Sequence, residues 1–312
     1  METAIVTGVA GFIGSHLAER LLNEKFLVIG IDCFTNYYSK ELKKKNLECC
    51  SRNENFVFIE KDLIETDLVA IFKKSHLLFH EAAQPGVRAS WGKEFGTYVK
   101  DNVLATQKVL EAAKGAKTLR KIILASSSSV YGNQAGYMKE DTLPRPISPY
   151  GVTKLAAENL GFVYAQNYGL PITSLRYFTV YGPRQRPDMA FSRFIKANLE
   201  NIELTIYGNG NQSRDFTFVS DVINANILAS TSKVHGNVLN IGGGSIHTIN
   251  EVIKIIEDIT GKKSKIIFKT FQKGDVLRTE ADIGEARRLI SYTPKITIKE
   301  GLTDQINLQK RT

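Results

Sequence analysis

The chain has 312 residues, 43% hydrophobic and 23% charged, and its 41 Lys and Arg outnumber 32 Asp and Glu for a formal charge of +9. That balance describes a soluble globular protein of two domains or one large one. The basic residues are scattered, Lys43-Lys44-Lys45 being the densest run, and no aromatic side chains interleave them; this argues against nucleic acid and for a small anionic partner.

No apolar run reaches the ~18 residues needed to span a bilayer, so no membrane role is expected. The three cysteines, Cys33, Cys49 and Cys50, are odd in number and two are adjacent. They make no disulfide framework, and a reducing, cytoplasmic setting fits them. The run AIVTGVAGFIG has no basic segment before it and is broken by glycine, so it does not read as a signal peptide.

TAIVTG (3–8) reads as a buried strand running into Gly8-x-x-Gly11-x-x-Gly14 and a helix with Leu17, Leu21 and Leu22 at helical spacing. Glycine suits a sharp strand-to-helix turn where the backbone approaches a pyrophosphate. The helix N-terminus then offers free N–H groups and a positive dipole end. The next strand, FLVIGID, ends in Asp32, eighteen residues after Gly14. A carboxylate there accepts hydrogen bonds from ribose hydroxyls and repels a 2′-phosphate, so the cofactor expected is NAD rather than NADP.

Residues 35–55 read as a loop and short helix. FVFIEKDL is the third strand, with Asp62 and Leu63 at its end expected near adenine, and a helix follows over 65–74. HLLFHEAAQ is the fourth strand, ending in the small residues Ala82 and Ala83 where the cofactor would lie. His76 and His80 flank this strand. Their spacing would suit a metal only on a helix, so both read as structural and no metal is expected. The loop GVRASWGKEFGTY leads to a helix over 97–114, and KIILASSSSVYG is the fifth strand, with Ser127 at its end.

The helix 150–168 carries Tyr150 and Lys154 in Y-x-x-x-K, which puts phenol and ammonium on one face. A lysine ~4–5 Å from a phenol, at an effective dielectric near 20, is worth roughly 3–4 kcal/mol. That would bring the phenol from ~10 toward neutrality, where it can act as a base. The spacing alone is common on exposed helix faces; the glycine fingerprint and Asp32 give it meaning. PITSLRYFTVYGP is a sixth strand, and beyond it the alternation changes to short strands, polar loops and helices.

The fold expected is α/β: a Rossmann-type doubly wound parallel sheet over 1–177, and a smaller α/β lobe over 178–312 with some segments returning to the sheet. The lobe caps the carboxyl edge, where such sheets bind ligands.

In order, TGxxGFIGSHL, EAAQPGVRASWG (similar to a pattern beginning LAA), SSSSVYG, SPYGVTK, RYFTVYGPRQRPDMA, RDFTFVSDV and NIGGG resemble the extended short-chain dehydrogenase/reductases. Within these the chain is similar to the NAD-dependent epimerase/dehydratase family, and most of all to its UDP-glucuronate 4-epimerases. The resemblance implies bound NAD, recycled in each turnover, with Phe12, Ile13, Asn36, Asn102 (in N-x-x-A-T) and Tyr177 joining the cofactor site. It implies a homodimer built on a four-helix bundle from the helices near 97–114 and 150–168. Tyr150, aided by Ser127, takes the C4 hydroxyl proton of a UDP-sugar. Lys154 lowers the tyrosine pKa and bonds the nicotinamide ribose.

The dehydratases of the family carry an Asp-Glu pair after the catalytic Ser/Thr, and the decarboxylases a Glu. Here Ser128 and Ser129 stand there, which cannot serve as the acid/base pair for losing water. Arg186 resembles the arginine near a C6 carboxylate, with Thr179, Ser127 and Ser128 as further donors. A 4-keto uronate is a β-keto acid, and directed hydrogen bonds would hold its carboxylate out of alignment with the carbonyl π-system. Arg88, Arg214 and Arg278 are expected at the substrate, Arg214 and Arg278 on the diphosphate or else paired with Asp215 or Asp275. Tyr207 would border the uracil through its backbone, and Asp221 reads as a helix N-cap. A neutral-hexose 4-epimerase and a non-catalytic dinucleotide sensor are the competing readings.

Overall fold

The computed structural model describes residues 1–134, 136–272 and 274–311. Six strands of the first half, β1 (Thr3–Thr7), β2 (Leu27–Asp32), β3 (Phe56–Glu60), β4 (Leu77–His80), β5 (Lys121–Ser127) and β6 (Ile172–Tyr177), run parallel in one sheet. A seventh, Asn237–Ile241, returns from the second half to pair with β6, giving the order Asn237–Ile241, β6, β5, β4, β1, β2, β3. The order reverses between β1 and β4, which opens a crevice at the carboxyl ends of these strands.

The inner strands are buried on both faces, which is why they read as unbroken apolar runs. Ala4, Val6 and Ile123 point into one buried cluster, and Ile5, Ile122 and Leu124 into the other. Alternate side chains thus serve opposite faces.

Several elements differ from the sequence expectation. The short helix expected within 35–55 spans Lys40–Ser51, capped by Ser39, and the 65–74 helix shrinks to Leu68–Phe72. The 97–114 helix is three pieces: Phe95–Tyr98, a π-helical stretch Val99–Leu104, and Ala105–Ala113. A π turn carries an extra residue and often marks a functional constraint; here it holds Asn102, which is 1% exposed. The expected sixth strand also breaks. β6 stops at Tyr177, and Val180–Tyr181 pairs with Thr217–Phe218 instead. Thr179 sits just past the break, its carbonyl accepting from Thr217 N at 3.0 Å.

The second half carries small two-stranded sheets, among them Glu203–Tyr207 with Lys265–Lys269 and Ser213–Asp215 with Ile246–Thr248. The helices Ile249–Thr260 and Ile298–Gln309 both begin with a capping box, Thr248/Glu251 and Thr297/Glu300. Asp221 is not an N-cap. The helix Val219–Thr231 is capped at Phe218, and Asp221, inside its first turn, accepts from Lys295 N at 3.1 Å and Ile296 N at 3.2 Å. It pins the C-terminal segment. Among the described residues no helix is long and apolar enough to cross a membrane.

Candidate active site

The crevice holds a cavity of about 430 Å³, lined from Gly8–Gly14 at one end to Ser127, Tyr150, Lys154 and Arg186 at the other. Its first wall is the β1 turn. A Cβ on Gly14 would stand 2.3 Å from Gly8 O, and one on Gly8 would meet Ala82 N and Cα at 2.8 Å. Only glycine lets the three segments close to this distance. The helix Phe12–Asn23 has no side-chain cap, so its first-turn N–H groups are left for a ligand. Phe12, Ile13, Leu63, Ala82 and Ala83 line the same cavity.

Asp32 is fixed by its own backbone neighbours, accepting from Ala10 N at 3.1 Å and Phe34 N at 2.8 Å. Burial raises its pKa, and those two bonds and Lys43 oppose the rise. The Tyr38 hydroxyl nearby is buried with no partner in the described chain, and its ring lies under Lys43 Nζ at 4.7 Å. A glycine cradle, a fixed acid and an orphaned hydroxyl along one groove fit a dinucleotide such as NAD. Asp62 lines this end too, bonded by Lys100 at 2.7 Å and Ile64 N at 2.9 Å.

Two residues expected at the cofactor stand elsewhere. Asn36 lies on an exposed turn outside the lining, which takes Thr35, Tyr37 and Tyr38 instead. Asn102 lies behind the wall: its Oδ1 accepts from Gln84 N at 2.7 Å and its Nδ2 donates to Gln84 O at 3.1 Å and Thr153 Oγ1 at 2.9 Å. It ties the segment after β4 to the helix Pro149–Tyr168. Asn102 therefore positions the cofactor wall and does not line it.

That helix begins with Ser148 as N-cap, accepting from Gly151 N at 3.1 Å, and with Pro149 in the first turn. A Cβ on Gly151 would stand 2.5 Å from Ser129 O, so the missing side chain lets the helix press onto the end of β5. This brings Tyr150 beside Ser127, whose hydroxyl acts to lower the phenol's pKa. Ser127 also accepts from Ser129 N at 3.1 Å. The ring of Tyr98 stands edge-on to Tyr150 at 6.2 Å, and its hydroxyl donates to Pro85 O and Gly86 O.

The electrostatics differ from the sequence expectation. Burial raises the Tyr150 pKa above its ordinary value; the Ser127 hydrogen bond and the Arg186 charge only oppose this. Burial pulls Lys154 down to about 8, with Glu81 and Glu158 pushing it back up. Burial thus works against charge on both side chains, and the four-residue spacing alone does not lower the Tyr150 pKa. A dry site penalises both charged forms.

At the sugar end Ser128, Ser129 and Thr179 line both the main cavity and an adjoining one of about 170 Å³. The smaller cavity is walled by Arg214, Asp275 and Thr279, and the buried Thr279 hydroxyl has no partner in the described chain. Arg186 lines the main cavity and grips Asp188 with Nε to Oδ1 and a terminal nitrogen to Oδ2, both at 3.0 Å. Burial works against its charge, but the Asp188 pair more than offsets this and its pKa lies above the ordinary value. Tyr37 completes the group, donating to Asp188 at 3.3 Å beneath the guanidinium.

The remaining substrate candidates meet partners of their own. Arg214 pairs with neither Asp215 nor Asp275; it donates to the carbonyls of Ser213, Val276 and Leu277. Asp215 is committed to Gly243 N and Ala281 N. Arg278 pairs with Glu280 rather than Asp275. Arg88 takes Asp275 at 2.7 Å and stacks on the Tyr207 ring at 4.3 Å. Tyr207 is outside both cavities, and its carbonyl already accepts from Gln212.

The two histidines are structural supports, His80 buried and His76 half-buried. His76 Nδ1 accepts from Thr3 N, and His80 bridges Thr7 and Thr106 at 2.8 and 3.0 Å. No group of three or more His, Cys, Asp or Glu among the described residues could hold a metal. Sequence reasoning missed Glu81, in the wall between Lys154 and Tyr177, although its place just past the end of β4 marks it as a crevice residue.

The profile of the NAD dependent epimerase/dehydratase family matches residues 4–242. YtcB of Bacillus subtilis (strain 168), described as an uncharacterized UDP-glucose epimerase, is 47% identical over 305 residues, which cover 97% of this chain and 96% of that protein. UDP-glucuronate 4-epimerase of Thermodesulfobacterium geofontis (strain OPF15) is 41% identical over 311 residues, 98% of this chain and 95% of the other. The crystal structure of UDP-glucuronic acid 4-epimerase from Bacillus cereus, in complex with UDP-glucuronic acid and NAD, matches with a TM-score of 0.97 at 46% identity over 99% of both chains. With a sheet order, glycine cradle and Ser/Tyr/Lys cluster to match, the chain belongs to the NAD dependent epimerase/dehydratase family.

Proposed function

We propose that the protein is a UDP-glucuronate 4-epimerase, interconverting UDP-glucuronate and UDP-galacturonate. The observation that carries the reading is the grouping of Tyr150, Ser127 and Lys154 beside Ser128, Ser129, Thr179 and Arg186 in one cavity. The first three fit oxidation at C4, and the other four offer donors to a C6 carboxylate. In this reading residues 1–177 hold the cofactor and the lobe from 178 holds the nucleotide sugar.

The cradle and Asp32 would hold NAD, which when bound supplies the acceptor and later the donor of the C4 hydride. Tyr150 removes the C4 hydroxyl proton and returns it to the epimer, with Ser127 holding the oxygen between the two. Lys154, when charged, stabilises the phenolate. Ser128 and Ser129 are hydroxyls without the acidity to expel water, which sets aside dehydration. Arg186 with Thr179 holds the carboxylate of the 4-keto uronate so that its C–C bond stays out of line with the carbonyl π-system, and carbon dioxide is kept. Arg214 and Arg88 face the diphosphate after releasing backbone carbonyls and Asp275.

A homodimer is part of the proposal. Phe95, Val99 and Leu104, and on the second helix Val152, Phe162 and Val163, are between 39% and 56% exposed. Apolar faces of this extent on two long helices suit a four-helix bundle. Three unbridged cysteines suit a cytoplasmic setting.

The test is incubation with UDP-glucuronate and separation of the products. UDP-galacturonate is expected. Conversion of UDP-glucose to UDP-galactose with no turnover of the uronate would favour the neutral-hexose reading, which the name of the Bacillus subtilis relative supports. A UDP-pentose would mark a decarboxylase.

A further inference from the structure

Lys154 is buried, lines the main cavity, and has no carboxylate of the described chain within ion-pair distance. Two carboxyls act on it through space, Glu81 and Glu158. They are not equivalent. Glu158 is consumed by Arg176, which meets it with two nitrogens at 2.5 and 3.0 Å, and by Ser126 at 2.7 Å. Glu81 has no cation within ion-pair distance among the described residues. Its Oε1 accepts from the Tyr177 hydroxyl at 2.8 Å, and Asn226 Nδ2 donates to that same hydroxyl at 2.9 Å. A phenol steadies the carboxylate without cancelling its charge.

We propose that Glu81 is a positioning residue for the reaction: it is the counter-charge that keeps Lys154 protonated, and Tyr177 and Asn226 hold it in place for that purpose. The inference rests on the reading that a charged Lys154 serves Tyr150, and it assigns the charge to a residue outside the Ser/Tyr/Lys set. The titratable groups facing Lys154 are few. Tyr150 and Glu158 share its helix, Tyr177 stands at the end of β6, and His80 at the end of β4 is held neutral at about 3 by burial and by Lys154. Arg186 acts on Tyr150 from the far side of the cavity. Of these, Glu158 is spent, the tyrosines and His80 are neutral, and Glu81 is the one free anion.

The sign follows from the linkage. Burial drives Lys154 down to about 8 and drives Glu81 up to about 7. Between these values both are charged. Removing Glu81 takes away the larger of the two charges that oppose burial, Glu158 being the other, so Lys154 loses its proton at lower pH.

The test is a pH titration of Lys154 in the full-length chain, by NMR of lysine labelled at Cε, with Lys154→Arg to assign the resonance. No sugar is turned over, so the result does not depend on which substrate the enzyme takes. In Glu81→Gln, and in Glu81→Leu should the amide variant fold poorly, the Lys154 midpoint is expected about one pH unit lower. Glu81→Asp keeps the charge and is expected within a few tenths of the parent. The alkaline limb of kcat should move down by the same amount in the neutral variants. An unchanged Lys154 midpoint in folded Glu81→Gln or Glu81→Leu overturns the proposal, as does a shift of equal size in Glu81→Asp.

Discussion

The two halves of the cleft are built differently. On the sheet side the groups are fixed and free: Gly8 and Gly14 shape the cradle, Asp32 is held by the backbone N–H groups of Ala10 and Phe34, and Lys154 has no partner at ion-pair distance among the described residues. On the opposite side every candidate arginine is already engaged, Arg186 by Asp188, Arg278 by Glu280 and Arg214 by three carbonyls in the lobe, and Arg88 from the first half by Asp275. Under the proposed function the cofactor half is preformed, whereas the sugar half would exchange internal partners for those of a ligand. Such an exchange weakens affinity but keeps the guanidinium groups charged and placed until substrate arrives.

The sharpest way to break this contrast is at Tyr150. Tyr150→Phe removes one hydroxyl from a preformed site, so turnover should fall by about 10³-fold while NAD affinity by calorimetry stays near the parent. Full activity in that variant would remove Tyr150 as the base.

Stability offers the next comparison. Arg176 and Glu158 form an ion pair about 95% buried beneath β5 and β6, whereas in the Arg278–Glu280 pair the guanidinium is 55% exposed. Arg176→Met strands a buried carboxylate and should cost about 3–5 kcal/mol in urea unfolding. Arg278→Met should change stability by less than about 1 kcal/mol. Equal losses would mean the lobe is as rigidly built as the sheet.

Specificity tests the exchange of partners. Arg186→Leu should raise KM for UDP-glucuronate by about tenfold to a hundredfold, the worth of a charge-assisted hydrogen bond, and leave KM for UDP-glucose within about twofold. If both rise together, Arg186 contacts the diphosphate and not the sugar carboxylate.

The smallest effect expected is on acid stability. His80 and His16 are kept neutral by burial down to about 3 and about 4. A histidine in the unfolded chain takes a proton near 6.5, so below that pH the unfolded state binds more protons and stability falls with pH. Glu81 and Asp215, held up by burial to about 7 and about 6, pull the other way. The measure is therefore the difference between parent and His80→Gln, whose unfolding free energy should decline less steeply from pH 6.5 toward 4. Parallel declines would show that His80 titrates normally in the fold.

What the sequence made legible follows from how local each feature is. The glycine cradle, Asp32 and the Ser127/Tyr150/Lys154 set lie in strand–turn–helix units whose geometry is set by neighbours in the chain. The capping role expected of Asp221 fails, and the partners of Asn102 and Arg278 had no signal, because Lys295, Gln84 and Glu280 are chosen by tertiary packing or by a local twist no motif encodes. The proton affinity of Tyr150 was misjudged because spacing reports the distance to Lys154 and not the dryness of the site. The doubly wound parallel sheet was readable from alternation and some return of the second half to it was expected, but that Asn237–Ile241 takes its edge had no signal beyond a short apolar run.

The most direct measurement is a competition in deuterium oxide, with equimolar UDP-glucuronate and UDP-glucose in one reaction followed by proton NMR. The account predicts UDP-galacturonate as the dominant product, with no deuterium at C4 because the hydride returns to the carbon it left. UDP-galactose forming ahead of UDP-galacturonate, or deuterium at C4, would contradict it.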